Sequence, residues 1–139
     1  MIVVIRIRGL VGVPGNVEET LHRVRLRRKY SAVLLKDNEE NIKMLKKIRD
    51  YVAYGKINDE MLGKLVESRA QNIDKKKKID AKKVVSEIGK KSYEDLGIKP
   101  FFRLHPPRKG IDAKKHFGVD KGVLGDNKEK INELLGRML

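Results

Sequence analysis

The 139-residue chain carries 33 Lys and Arg against 19 Asp and Glu, a formal charge of +14 at pH 7, with hydrophobic residues at 40%. That apolar content is too high for a disordered basic tail and enough for one domain with a buried core, while the charge calls for an anionic partner. Nucleic acid is favoured over a membrane surface because the cations are not confined to one amphipathic helix, and the absence of cysteine excludes disulfides and thiolate metal sites.

In chain order, Met1 to Arg8 is apolar and β-branched, with Ile5 and Ile7 alternating with Arg6 and Arg8, which predicts a strand. The run is too short to span a bilayer and lacks the features of a signal peptide, so a cytoplasmic location is expected. Gly9, Gly12, Pro14 and Gly15 make a turn-rich loop. Asn16 is the expected N-cap of the first helix, with Glu19 at the capping-box position and Val17, Thr20, Leu21 and Val24 on the apolar face. The C-terminal half of that helix carries Arg23, Arg25, Arg27, Arg28 and Lys29, the densest arginine cluster of the chain. Pairing with the helix dipole accounts for part of it, and the remainder is assigned to phosphate contact.

Ala32-Val33-Leu34-Leu35 is a continuous apolar run suited to a central strand. Asp37 or Asn38 caps a second helix, with Ile42, Leu45, Ile48 and Val52 inward and Lys43, Lys46, Lys47 and Arg49 toward water. A third strand covers Val52 to Ile57. Residues 1–57 thus spell a βαβαβ core, an α+β unit with two helices covering one face of a small sheet.

Residues 58–139 form an extension expected to pack with that core as one domain. Asn58 and Asp59 start a third helix with Met61, Leu62, Leu65 and Val66 as its apolar stripe. A polar linker follows over Gln71 to Lys78, then a helix capped by Asp80 with Ala81, Val84, Val85 and Ile88 inward, then a turn beginning at Ser92 and stopped by Gly97 and Pro100. A short strand at 101–104 can add to the sheet edge. A basic, glycine-rich loop spans 105–125, and a helix at 126–138 opens with Asp126 and Glu129 as a capping box. Its residues Ile131, Leu134, Leu135 and Met138 follow core-facing helical spacing.

The segment Arg103-Leu104-His105-Pro106-Pro107-Arg108-Lys109-Gly110 carries the most information. Consecutive prolines stiffen the backbone and bar a helix. Around them Arg103, Arg108, Lys109, Lys114 and Lys115 set five cations against Asp112, an arrangement suited to a polyanion. A solvated basic loop is the alternative, and the overall charge argues against it. Catalytic signatures do not assemble. Gly-Lys occurs at Gly55-Lys56, Gly63-Lys64 and Gly89-Lys90, never followed by Ser or Thr, and no Gly-x-Ser-x-Gly elbow is present. His22, His105 and His116 lack the spacing that would present two metal ligands on one helix. No enzyme activity, cofactor or small-molecule substrate is therefore expected. The aromatics are Tyr30, Tyr51, Tyr54, Tyr93, Phe101, Phe102 and Phe117, and they do not form the stacking platform of an RNA-recognition-motif sheet. Most are assigned to the core, and Phe117, among cations, is the stacking candidate. Phosphate and 2′-hydroxyl recognition of folded RNA fits the spread of Lys and Arg best. An architectural DNA-binding protein would share the charge, but no helix-turn-helix, β-ribbon arm or minor-groove wedge is identifiable.

Three stretches carry a family resemblance. They are Leu21 to Leu35; Met44-Leu45 through Val52-Ala53-Tyr54-Gly55; and Arg103 to Arg108 with Gly110, Gly122-Val123-Leu124-Gly125, Ile131-Asn132-Glu133-Leu134-Leu135 and Arg137-Met138. Together they resemble the archaeal form of the large-subunit ribosomal protein L-thirty family, whose eukaryotic relatives are called L-seven. Bacterial members resemble only the βαβαβ core, and eukaryotic members add a basic extension before the first strand. Where family members often carry paired glycines, this chain has Lys109-Gly110 and Lys121-Gly122. The resemblance implies a core like half of a ferredoxin-like fold and a structural place in the cytoplasmic large ribosomal subunit. It also implies binding to large-subunit ribosomal RNA near 5S RNA, neighbouring ribosomal proteins, and no catalytic role. The residues expected to contact RNA are Arg23, Arg25, Arg27, Arg28, Lys29, Arg103, His105, Arg108, Lys109, Lys114, Lys115, His116 and Phe117.

Overall fold

The strand that opens the chain is the centre of the sheet. In the computed structural model, which describes residues 1–9, 11–69, 81–87, 98–108, 110, 113–116 and 122–139, β1 (Ile2–Arg6) is buried at every position. A strand with one wet face cannot be, so both faces of the sheet must be covered. Antiparallel partners flank it, β2 (Ser31–Leu35) through pairs such as Val4↔Val33 and β3 (Val52–Lys56) through Val4↔Tyr54. The full order is β4-β2-β1-β3-β6-β5, with β4 (Phe102–Arg103) on one edge and β6 (Gly122–Asp126) and β5 (Ala113–His116) on the other.

The alternation of strand side chains explains the two layers of helix. Ile2, Val4, Val33 and Val52 point to one face and pack with Leu21 of α1 (Gly15–Arg23) and Leu45 and Ile48 of α2 (Glu39–Ile48). Val3, Ile5, Ala32, Leu34 and Ala53 point to the other. There they meet Leu62, Leu65 and Val66 of α3 (Asp59–Arg69), Val84 of α4 (Ala81–Glu87), and Ile131, Leu134, Leu135 and Met138 of α5 (Ile131–Met138). The fold is thus α+β, a βαβαβ core like half of a ferredoxin-like fold, whose second sheet face is covered by helices of the C-terminal half. Leu134, only 3% exposed, lies in this second layer. Leu134→Ala should lower the unfolding free energy by about 2–5 kcal/mol in denaturant titration.

Local chemistry follows the sequence at several helix starts and departs from it at others. The Asn38 side chain accepts from the Asn41 N–H at 2.9 Å, and Asn58 does the same for Met61 at 2.7 Å. The expected cap of α1 is not Asn16. Pro14 occupies that position, no side chain caps it, and Asn16 sits inside the helix, because the Pro14 carbonyl is the group that accepts from Glu18 N–H at 3.0 Å. Nor does α1 continue through Lys29. It stops at Arg23, since turning the chain there lets Leu26 join the core beside Leu21. At the far end Asp126 belongs to β6 rather than a capping box. Its Oδ1 accepts from Lys128 N–H at 2.9 Å, opening a 3-10 turn (Lys128–Lys130) that leads into α5. The expected loop 105–125 is likewise interrupted by strand at 113–116 and from 122 onward, because Leu124 is pulled into the core, 1% exposed. The linker at 71–78, Asp80, Ile88 and the turn at Ser92 lie outside the described residues.

Candidate nucleic-acid interface

The arginine cluster is built on the turn that ends α1. Arg25 N–H donates to the His22 carbonyl at 3.1 Å and Leu26 N–H to the Leu21 carbonyl at 2.9 Å, a Schellman closure sealed by the buried Leu21 and Leu26 side chains. Arg25 occupies the left-handed position of that motif, with φ 69°, where glycine is the usual residue.

Arg6 locks this turn from below. Alternating with Ile5 and Ile7 in the opening apolar run, it is nevertheless fully buried. Its Nη1 donates to the Leu26 carbonyl at 2.7 Å, Nε to Arg8 at 3.1 Å and Nη2 to Gly9 at 3.2 Å. A cation is tolerated at this buried position because the guanidinium replaces water with backbone carbonyls brought from two loops. Burial pushes its pKa below the ordinary arginine value, nearby Glu18 opposes that shift, and the group stays cationic at neutral pH. The Arg6 carbonyl in turn accepts from Tyr30 N–H at 2.7 Å, and the Tyr30 carbonyl accepts from Leu104 N–H at 2.9 Å. A chain of backbone contacts thus runs from β1 through the arginine turn to β4.

That last link assembles the site. The pairing Ser31↔Arg103 and Ala32↔Phe102 sets β4 against the strand that leaves the arginine turn. Arg25, Arg27, Arg28, Ser31, Phe101 and Arg103 then line a cleft of about 210 Å³. None of the six is acidic. The Arg103 guanidinium lies over the Phe101 ring, 5.6 Å from its centroid. Four arginines around one recess repel each other unless an anion enters it. Phe101 and Ser31 were not among the expected contact residues. The usable signal for Phe101 was its place two residues before Arg103 in an edge strand.

The rest of the expected set is dispersed. Arg23 forms an ion pair with Glu19 at 2.6 Å, one turn back along α1. Lys29 sits over the Tyr30 ring at 4.9 Å. His105 has Nδ1 2.6 Å from the Pro106 carbonyl and Nε2 2.5 Å from that of Leu139, so its ring is engaged with the chain after α5. Arg108 is exposed at the proline elbow, where its N–H donates to the Arg137 carbonyl at 3.0 Å and Arg137 donates back to Gly110 at 3.1 Å. Lys114, Lys115 and His116 occupy β5, at the sheet edge opposite the arginine cleft. Lys109 and Phe117 lie outside the described residues.

A second groove, between α2 and the start of α5, is of mixed sign. Lys46, Lys56, Lys128 and Lys130 share it with Asp37, Asp126 and Glu129, and Lys56 pairs with Asp37 at 3.6 Å. Burial, and then the neighbouring Asp126 carboxylate, push the Tyr54 phenol above its ordinary pKa against the opposing pull of Arg49. Such balanced charge does not select a polyanion. Among the described residues no group of three or more His, Cys, Asp or Glu could hold a metal ion, and no helix is long and apolar enough to cross a membrane.

Residues 2–52 match the sequence model of the family described as Ribosomal protein L30p/L7e. Over nearly the whole chain, the sequence is also similar to proteins named Large ribosomal subunit protein uL30. The one from Archaeoglobus fulgidus is 41% identical over 99% of both chains. That from Methanococcus maripaludis strain C5 is 39% identical over 98% of this chain and 97% of its own, and that from Aeropyrum pernix is 37% identical over the same shares.

Proposed function

The chain belongs to the ribosomal protein L30p/L7e family, and from that membership we propose that it is a structural constituent of the large ribosomal subunit that binds and stabilises folded ribosomal RNA. The observation that carries the RNA contact is the acid-free cleft of four arginines at the β4 edge. Arginine grips phosphate bidentately, so this cluster supplies more affinity per residue than the scattered lysines. Lys114, Lys115 and His116 on the opposite edge supply a second contact line, and exposed Arg108 at the proline elbow, beside the end of α5, is a further cation. Two separated basic edges suit a protein embedded between RNA segments, with neighbouring ribosomal proteins and 5S RNA close by in the cytoplasmic subunit. The role is one of structure rather than catalysis.

The test is binding of large-subunit ribosomal RNA fragments and of duplex DNA across a range of salt. Arg27 and Arg28 are exposed, so replacing both with Ala should weaken RNA binding with no loss of thermal stability. The slope of log K against log salt should fall by up to about 2, one unit per lost phosphate contact. Unchanged RNA affinity would remove the cleft from the interface. Tighter binding to duplex DNA than to ribosomal RNA at every salt would favour an architectural DNA-binding role instead.

A further inference from the structure

We propose that the β4-edge cleft is a receptor for a single nucleotide turned out of an RNA helix, the base lying against Phe101 and its phosphate held among Arg25, Arg27, Arg28 and Arg103. This rests on the RNA-binding reading above and specifies which feature of the RNA the site takes. The first argument is shape. A paired helix offers phosphates on a convex backbone and keeps its bases inside the stack, so it reaches the rim of a recess and leaves the interior empty. A cleft of about 210 Å³ is filled by a group that protrudes.

The second argument is the chemistry of the lining. A site for phosphate alone needs cations and N–H groups. This one also sets an aromatic ring among them, partly exposed and already topped by the Arg103 guanidinium. A half-open aromatic ring and guanidinium planes are the surfaces on which unstacked bases lie. Ser31, 5% exposed and paired in register with Arg103, adds a hydroxyl that can both donate to and accept from a base edge or a 2′-hydroxyl.

The third argument is rigidity. The turn keeps an arginine in a left-handed conformation that glycine adopts at less cost, and the buried Arg6 holds that turn through the Leu26 carbonyl. A flexible phosphate grip would need neither, whereas a shaped receptor requires its walls to be fixed before the ligand arrives.

The experiment compares the full chain binding to three RNA hairpins of the same length at low salt: fully paired, with a one-nucleotide bulge, and with an abasic bulge. The bulged hairpin should bind about tenfold or more tighter than the other two, the size that one base–aromatic stack supplies. Phe101→Leu, which keeps an apolar filler against the core but no ring, should erase that preference. Phe101→Tyr should keep it. Arg25→Gly should weaken binding of the bulged hairpin without lowering Tm. Equal binding of bulged and paired hairpins, or a preference that survives Phe101→Leu, overturns the receptor while RNA binding stands. Failure to bind any of the three hairpins or ribosomal RNA overturns both readings.

Discussion

Arg6→Ala should destabilise the fold by about 3–5 kcal/mol and should weaken RNA binding even at temperatures where the protein stays folded. The Leu26, Arg8 and Gly9 carbonyls each lose a donor; the contact to Leu26 is buried, so water cannot simply replace the guanidinium there, while those to Arg8 and Gly9 are only part-buried. An unpaired buried carbonyl costs on the order of 1–3 kcal/mol, and truncation adds a cavity beneath the turn. Arg6→Met separates the two effects: it fills most of the space but restores no hydrogen bond, so it should recover only part of the loss. Arg6→Lys brings a charge but not the planar fork that spans the three acceptors, and should also fall short of wild type. Denaturant titration gives the stability, and amide exchange across residues 25–31 gives the turn. If Arg6→Met matched wild type in stability and exchange, the carbonyl contacts would be incidental and packing alone would hold the turn.

The second large effect is at Gly55. A Cβ there would lie 2.2 Å from the Lys128 carbonyl oxygen and 2.8 Å from Ile131 Cγ2. The obstructing atoms belong to the 3-10 turn and the first residue of α5, and both are tied down. Asn127 N–H donates to the Tyr54 carbonyl at 2.7 Å, and Asn132 Nδ2 donates to Lys56 at 3.2 Å while its Oδ1 accepts from Asn58 N–H at 3.1 Å. With contacts on both sides of Gly55, the turn cannot retreat without breaking them. Gly55→Ala should therefore cost about 3 kcal/mol, the upper part of the usual overpacking range, and should loosen α5 from the sheet. Gly63 on α3 has open space around its Cβ position, so Gly63→Ala is the control and should be neutral or stabilise by up to about 1 kcal/mol. The arginine cleft lies beyond β2, away from Gly55, and RNA affinity of folded Gly55→Ala should be retained. A Gly55→Ala protein as stable as wild type would show that α5 can shift freely against β3.

Much of this architecture was legible from local pattern. The apolar runs at Ile2–Ile5 and Ala32–Leu35 are strands, the stripes Met61-Leu62-Leu65-Val66 and Ile131-Leu134-Leu135-Met138 are buried helix faces, and Asn38 and Asn58 are caps. Periodicity reports which side of an element meets the core, because side chains repeat at fixed angles along one helix or strand. It is weaker where a turn is stabilised by its own backbone. The basic stretch after Leu21 has good helix formers, yet the chain gains more by closing a Schellman turn and burying Leu26. Gly55 read as half of a failed phosphate-loop motif, and its actual requirement is the close approach of a carbonyl far along the chain.

By itself the sequence determined the net charge of +14, the strand and helix inventory of the core, and the family, since these depend on composition, short periods and residue identity along the chain. Tertiary structure alone decided which cations stand together. The pairing of β4 with β2 brings Arg103 and Phe101 to the turn of Arg25, Arg27 and Arg28, and the order of strands sends Lys114, Lys115 and His116 to the opposite edge. It also decided that Arg6 is a buried clamp and not a surface charge. The physical reason is the same in each case: strand adjacency and carbonyl capture are contacts between segments distant in the chain, and local spacing carries no information about which distant segment will arrive.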